Sequence, residues 1–272
     1  MKKNMKNNSI TRKKQENRLS TLERAIKLLE YMETARIKPK LSDITAILPI
    51  PSGTAFNILK TLEAYGLIER ETSSRQYKLG FRMFQLGNSV EYIRNLREVS
   101  LPFMRELTRE TKETSNLGIL FAETLYFLAI IESPFTTKTR SAVSSSLPSH
   151  APAVGKALLA YQKVEDRRKL IDRIALPKFT PNTLTEKVEL WDELDLIKRQ
   201  GYAVDNEEVF LGTTCIAAPV FDSAQRITAA LGITGDTVRI KKNMSSLINI
   251  VQHEVLNISF KLGYQPTKVV SN

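Results

Sequence analysis

Only three side chains in this chain of 272 residues have the chemistry of a nucleophile or base at neutral pH: Cys215, His150 and His253. A thiolate activated by His150 is the one nucleophilic pair conceivable. Against it, Cys215 heads the apolar run CIAAPVF, where a buried, inert thiol is expected. His253 falls in the polar-apolar rhythm of a helix and reads as a surface residue. Glu207 and Glu208 are adjacent carboxylates that a strand would send to opposite faces. No Cys/His cluster has metal-ligand spacing, and neither a P-loop nor GxGxxG is present. No catalytic residue, metal site or cofactor is therefore expected.

Binding chemistry is better represented. In LPSHAPAVGKALLAYQ (147–162), the small residues Ala151, Ala153, Gly155 and Ala157 crowd the start of a helix. Free amides there can hold an anion; equally, small residues permit close packing. Gly155 costs about 1 kcal/mol relative to alanine in a helix, which favours a purpose. The formal charge is +11, and it is unevenly placed. Residues 1–80 hold 16 Lys/Arg against 8 Asp/Glu, whereas residues 81–272 hold 24 against 21. One end thus suits a polyanion. A membrane surface would satisfy charge alone, with nucleic acid the preferred reading. No apolar run is long enough to span a bilayer, no apolar segment follows the basic N-terminus as a secretory signal requires, and one cysteine precludes an internal disulfide. These features fit a cytoplasmic protein.

The elements that must position these residues can be read along the chain. Residues 1–18 form a basic arm expected to be disordered. Ser20 and Glu23 make a capping box, followed by Leu22, Ala25, Ile26, Leu29 and Met32 as a buried helical face. A second helix from Ser42 buries Ile44, Ile47 and Leu48. A third starts at Ser52 as N-cap, buries Ala55, Ile58, Leu59 and Leu62, and ends at Gly66. Two short strands, Leu67–Arg70 and Gln76–Leu79, flank a turn and complete a winged helix-turn-helix over residues 19–80. Residues 81–97 read as a linker helix, and Glu98–Lys112 as a second helix with Pro102 in its first turn. Residues 98–265 then form an α+β domain with helices packed to one side of its strands: Asn116–Phe121, Thr124–Ile131, a weaker Lys138–Val143, Tyr202–Glu207, Cys215–Phe221 and Ile227–Ile233.

Several segments together resemble the IclR family of bacterial transcriptional regulators, from about Leu19 to Gly263. They are LERAIKLLEYM, LSDITAILPIPSGTAFNILKTLEAYGLIER, YKLGFRMFQLG, LPSHAPAVGKALLA, FTPNTLTE, GYAVDNEEVFLGTTCIAAPVFD and ITAALGITG. The resemblance implies an N-terminal winged helix-turn-helix and a C-terminal GAF-like effector-binding domain. It implies homodimers, often paired into homotetramers, on double-stranded operator DNA. It also implies a small carboxylate effector: a sugar acid, keto acid or aromatic acid. By position, the effector site falls on Leu147, Ala153, Val154, Asp205, Cys215, Gly232 and Thr234. Gly232 stands where a serine is frequent in the family, Pro152-Ala-Val-Gly-Lys156 replaces its usual small-residue helix start, and Ser144-Ser-Ser146 its usual approach. These departures suggest a larger or more hydroxylated acid.

On the third helix the outward residues are Ser52, Gly53, Thr54, Phe56, Asn57 and Lys60, with Arg70, Arg75 and Lys78 on the wing. Where the family commonly carries a Lys-Ser-Thr start and a His-Arg pair, this chain has Ser-Gly-Thr and Phe-Asn. Asn57 can pair with adenine, and Phe56 or Thr54 can meet a thymine methyl, so an A·T-rich half-site is expected. The reading is a sequence-specific regulator, a repressor rather than an activator. Its alternatives are a protein-docking winged helix and an enzyme acting on a small organic acid.

Overall fold

The computed structural model describes residues 20–35, 37–48, 50–135, 143 and 145–266. The expected basic arm and most of the expected Lys138–Val143 strand lie outside them; Val143 itself is in a turn. The chain divides into two compact units, meeting between Glu91 and Tyr92.

In the first unit, α1 (Thr21–Thr34), α2 (Leu41–Ile47) and α3 (Ser52–Ala64) precede a hairpin of β1 (Ile68–Arg70) and β2 (Tyr77–Leu79). The Ser20 capping box is formed: Glu23 N–H donates to Ser20 Oγ at 3.2 Å, and Ser20 N–H to Glu23 Oε2 at 2.6 Å. Leu28, Met32, Ile44, Ile58, Leu59, Leu62, Ile68 and Tyr77 make the core. The buried stripe of α1 runs through Leu28 and Met32, one step round from the expected one, and leaves Leu22 and Ile26 exposed. Ile47 is likewise exposed, because α2 is only two turns long and buries Ile44 alone. Ser52 is the first residue of α3 and caps nothing; Pro51 precedes it as N-cap. Gly66 takes φ +69° at the helix end, as a left-handed C′ position demands. A Cβ on Gly80 would lie 2.2 Å from the Gly66 carbonyl oxygen, so only glycine lets the wing close against the helix end.

The expected linker helix divides differently. α4 (Phe81–Asn88) stops before Val90, and α5 runs unbroken from Glu91 to Thr111. Pro102 therefore sits inside α5 rather than in a first turn. Leu96, Ser100, Met104, Leu107 and Thr108 bury one face at helical spacing, and that face outweighs the lost amide.

The second unit is built on six antiparallel strands in the order β5-β4-β3-β8-β7-β6: β3 (Thr114–Phe121), β4 (Thr124–Ile131), β5 (Ser146–Pro148), β6 (Ala203–Asn206), β7 (Thr213–Phe221) and β8 (Ile227–Asp236). Helices cover both faces, not one. Leu117, Ile216, Ala218, Leu231 and Ile233 pack with α5, α9 (Thr237–Lys242) and α10 (Met244–Lys261). The alternate residues Ala203, Ala217 and Ala230 pack with α6 (Ala153–Ala160), α7 (Val164–Arg173) and α8 (Lys187–Gln200). Burial on both faces explains why β7 and β8 read as nearly continuous apolar runs. The helix over the second face is α6, every residue of which is buried.

Candidate functional site

In the first unit the outward residues of α3 stand as expected. Ala55, Ile58, Leu59 and Leu62 are buried; Ser52, Gly53, Phe56, Asn57 and Lys60 are exposed, and Thr54 is half-buried. Phe56 is 48% exposed, an unusual cost for an aromatic with nothing to cover it. The first amides of α3 carry no side-chain cap, and such amides suit a phosphate. On the wing, Lys78 pairs with Glu69 at 2.8 Å across the hairpin. Arg70 lies over the Tyr77 ring with its guanidinium carbon 5.8 Å from the centroid. Arg75, at φ +58° in the turn, makes no ion pair among the described residues.

In the second unit, a cavity of about 50 Å³ lies between the start of α6 and the sheet. Of the seven residues expected there, Leu147, Ala153, Val154, Asp205, Cys215 and Thr234 line it. The sheet register brings three of them together. Asp205 on β6 stands opposite Cys215 on β7, which stands opposite Thr234 on β8. Asn116 donates to the Thr234 hydroxyl at 2.9 Å, and that hydroxyl donates to Cys215 Sγ at 3.2 Å. Across the strand pair from the thiol, the Asp205 Oδ1 accepts the Glu208 N–H at 2.7 Å. Above this row, the opening amides of α6 have no side-chain cap.

Gly232 does not line the cavity. It occupies the next row, opposite Ala217, and a Cβ there would lie 2.6 Å from the Ile216 carbonyl oxygen and 3.2 Å from a Val154 methyl. The expected missing ligand donor is thus a place where β7 and Val154 approach β8 too closely for a side chain. Gly155 has a similar cause: a Cβ would lie 2.3 Å from the Ser149 carbonyl oxygen, so the helix start packs against the preceding loop through this glycine. The other walls are Phe127, Pro152, Val209, Phe210 and Thr213, with Asn116 on β3. Asn116 carries the one signal that sequence could have offered, an amide directly before the apolar run Leu117–Phe121 of β3.

The electrostatics of the pocket are dominated by burial. Asp205 is 2% exposed, and burial pushes its carboxyl up to about 6 despite the Glu208 amide and Lys156. Burial, reinforced by Asp205, raises the Cys215 thiol well above its ordinary range, so it is no nucleophile. Burial also lowers His150, whose Nε2 lies 3.1 Å from the Pro177 carbonyl oxygen and whose ring stacks on Phe179 rather than pairing with Cys215. His253 is largely exposed. Glu207 and Glu208, expected in a strand, lie instead in the loop after β6, with Glu207 at φ +62°. Glu207 accepts the Gly212 N–H at 3.0 Å, whereas Glu208 turns inward to Lys156. Among the described residues, no group of three His, Cys, Asp or Glu is arranged to hold a metal, and no helix is long and apolar enough to cross a membrane.

Residues 21–72 match the IclR helix-turn-helix domain, and residues 90–260 the domain described as bacterial transcriptional regulator IclR C-terminal. The HTH-type transcriptional regulator XynR of Escherichia coli K12 is 30% identical over 247 residues, 90% of this chain and 98% of its own length. The HTH-type transcriptional repressor AllR of the same strain is 31% identical over 243 residues, 89% of this chain and 90% of its own. Among solved structures, an IclR homologue from Microbacterium hydrocarbonoxydans complexed with 4-hydroxybenzoate superimposes with a TM-score of 0.81 at 26% identity, covering 89% of this chain and 99% of that one. With both domains matched and in this order, the chain belongs to the IclR family: a transcriptional regulator with a helix-turn-helix DNA-binding domain and a C-terminal effector-binding domain.

Proposed function

We propose that this regulator is a repressor released from its operator by a small carboxylate held in the cavity under α6. The observation that carries the reading is the row Asp205–Cys215–Thr234 beneath the uncapped amides of Ala153 and Val154. Amides at a helix start favour an anion; the Thr234 hydroxyl and the Asn116 amide offer polar partners to its other end. The walls Phe127, Val209 and Phe210 are apolar, as in most small-molecule sites. The narrow enclosed part of the cavity favours a compact acid over the larger one suggested by the loss of the Gly232 donor. Of the acids considered, a short keto or hydroxy acid fits this best, ahead of a sugar acid or the aromatic acid bound by the Microbacterium homologue.

DNA is read by Ser52, Gly53, Thr54, Phe56, Asn57 and Lys60 on α3, with Arg70, Arg75 and Lys78 supporting it from the wing. The protein acts in the cytoplasm, has no enzymatic activity, and functions as a homodimer or a pair of homodimers. Two-fold symmetry sets A·T-rich half-sites about one helical turn, roughly 34–36 Å, or a multiple apart. The AllR relative's designation as a repressor supports the sign of regulation. The test is fluorescence anisotropy of a selected operator duplex, titrated with two- to four-carbon oxo and hydroxy acids. Release by one of them supports the reading; tighter binding by the same acid reverses the sign, and no effect from any removes the short acids.

A further inference from the structure

The cavity is bordered by more negative charge than its single buried cation can answer. Lys156, in the second turn of α6, is 1% exposed and contacts both Glu208 and, at 3.0 Å, Glu193 of α8. Asp205 is a third carboxyl, buried and lining the cavity itself. The other titratable groups facing the cluster bring no positive charge. The Cys215 thiol on β7 is held protonated by burial, and burial lowers His150 in the loop before α6. Fully ionised, three carboxylates face one ammonium. One oxygen of Glu208, Oε2, is buried without a hydrogen-bond partner among the described residues, a poor setting for a full negative charge.

An anion entering beside Asp205 adds a further like charge next to a carboxyl that solvent hardly reaches. Carboxylates that share such a site cannot all remain ionised. We infer that this pocket takes up its carboxylate effector together with one proton, held by the Asp205–Glu208 pair, so that effector occupancy is coupled to pH. The inference rests on the cavity being the carboxylate site. As the anion enters, a proton from solvent binds a carboxyl oxygen of the pair, no covalent bond to the ligand forms, and the site's net charge is unchanged. Burial raises Asp205 to about 6 and Glu208 to about 7, with Lys156 opposing it in both cases. These titrations belong to the pair, not to either residue alone. The empty pocket is thus partly ionised at neutral pH, and the incoming anion restores the missing proton.

The experiment is isothermal titration calorimetry on the full-length protein, with glyoxylate, pyruvate and L-lactate as probes. Titrations at pH 8.0 in phosphate and in Tris, whose ionisation enthalpies differ, count protons directly. The expected result is uptake of about one proton per acid bound, with Kd rising about tenfold between pH 7.5 and 8.5. Asp205→Asn and, as an independent variant, Glu208→Gln should each bring the uptake toward zero and flatten the pH profile. Binding whose heat is the same in both buffers overturns the inference and leaves the carboxylate site standing. No binding by any probe at either pH 5.5 or pH 8.0 counts against the site itself, and this inference falls with it.

Discussion

The two units of this regulator place their recognition chemistry in opposite ways. In the first, the candidate DNA-reading residues come from one short stretch, 52–60, and project from the exposed face of α3. In the second, the candidate effector residues come from five separate segments and are buried or half-buried, converging only because the sheet register aligns Asp205, Cys215 and Thr234. A surface site on one helix can change its side chains with little effect on folding. A buried site cannot, because its polar groups are also each other's hydrogen-bond partners. Changes in α3 should therefore alter DNA preference at nearly constant stability, and changes in the pocket should show up in both ligand binding and folding.

The largest expected effect comes from Lys156→Ala. It leaves Glu208 and Glu193 without their shared cation and should cost about 3–5 kcal/mol, read as a lower urea midpoint for the second unit. A cost near zero would mean that the cluster is already neutral without the lysine.

Next is the pH dependence of stability in Asp205→Asn. The folded carboxyl sits near 6, above its ordinary 3.8, so it contributes stability at low pH that is lost as pH rises from about 4 through about 6. The wild type should therefore lose roughly 2–3 kcal/mol across that window relative to the variant. Parallel profiles would mean that Asp205 is not held protonated by burial.

These pocket effects contrast with two on the exposed side. Asn57→Ala should cost about 1–3 kcal/mol at one adenine position of the operator and leave the urea midpoint unchanged. Equal loss on all sequences would assign Asn57 to the backbone instead. Smallest is Arg75→Ala, expected to lower the slope of log K against log salt by about 0.9 without changing sequence preference. Lys78→Ala should do less, because Glu69 already neutralises Lys78.

The same contrast explains what could be read from the chain. Helix periodicity placed Ala55, Ile58, Leu59 and Leu62 inside and their neighbours outside, because three-dimensional proximity on one helix follows sequence spacing. The apolar runs of β7 and β8 announced strands but not their partners. That Cys215 meets Thr234 depends on strand pairing, and the residues of the site came from family resemblance rather than from spacing. Asn116, Phe127 and Phe210 escaped both routes, since their role arises only when β3, β4 and the loop after β6 close around α6. Helices on both sheet faces were missed because burial on both faces erases the two-residue polarity rhythm. Gly232 was misread for a related reason: a glycine that lets β7 and Val154 approach looks, in sequence, like a lost side chain.

One assay couples DNA reading by the first unit to acid binding by the second. Duplexes selected from a random pool by the full-length protein are labelled, and anisotropy is followed with and without the short acids, for wild type and for Thr234→Phe. The expected result is an A·T-rich pseudo-palindrome released by an acid in the wild type, and held with equal affinity but unresponsive to the acid in the variant. A selected pool without sequence preference, or acid release that persists in Thr234→Phe, would contradict it.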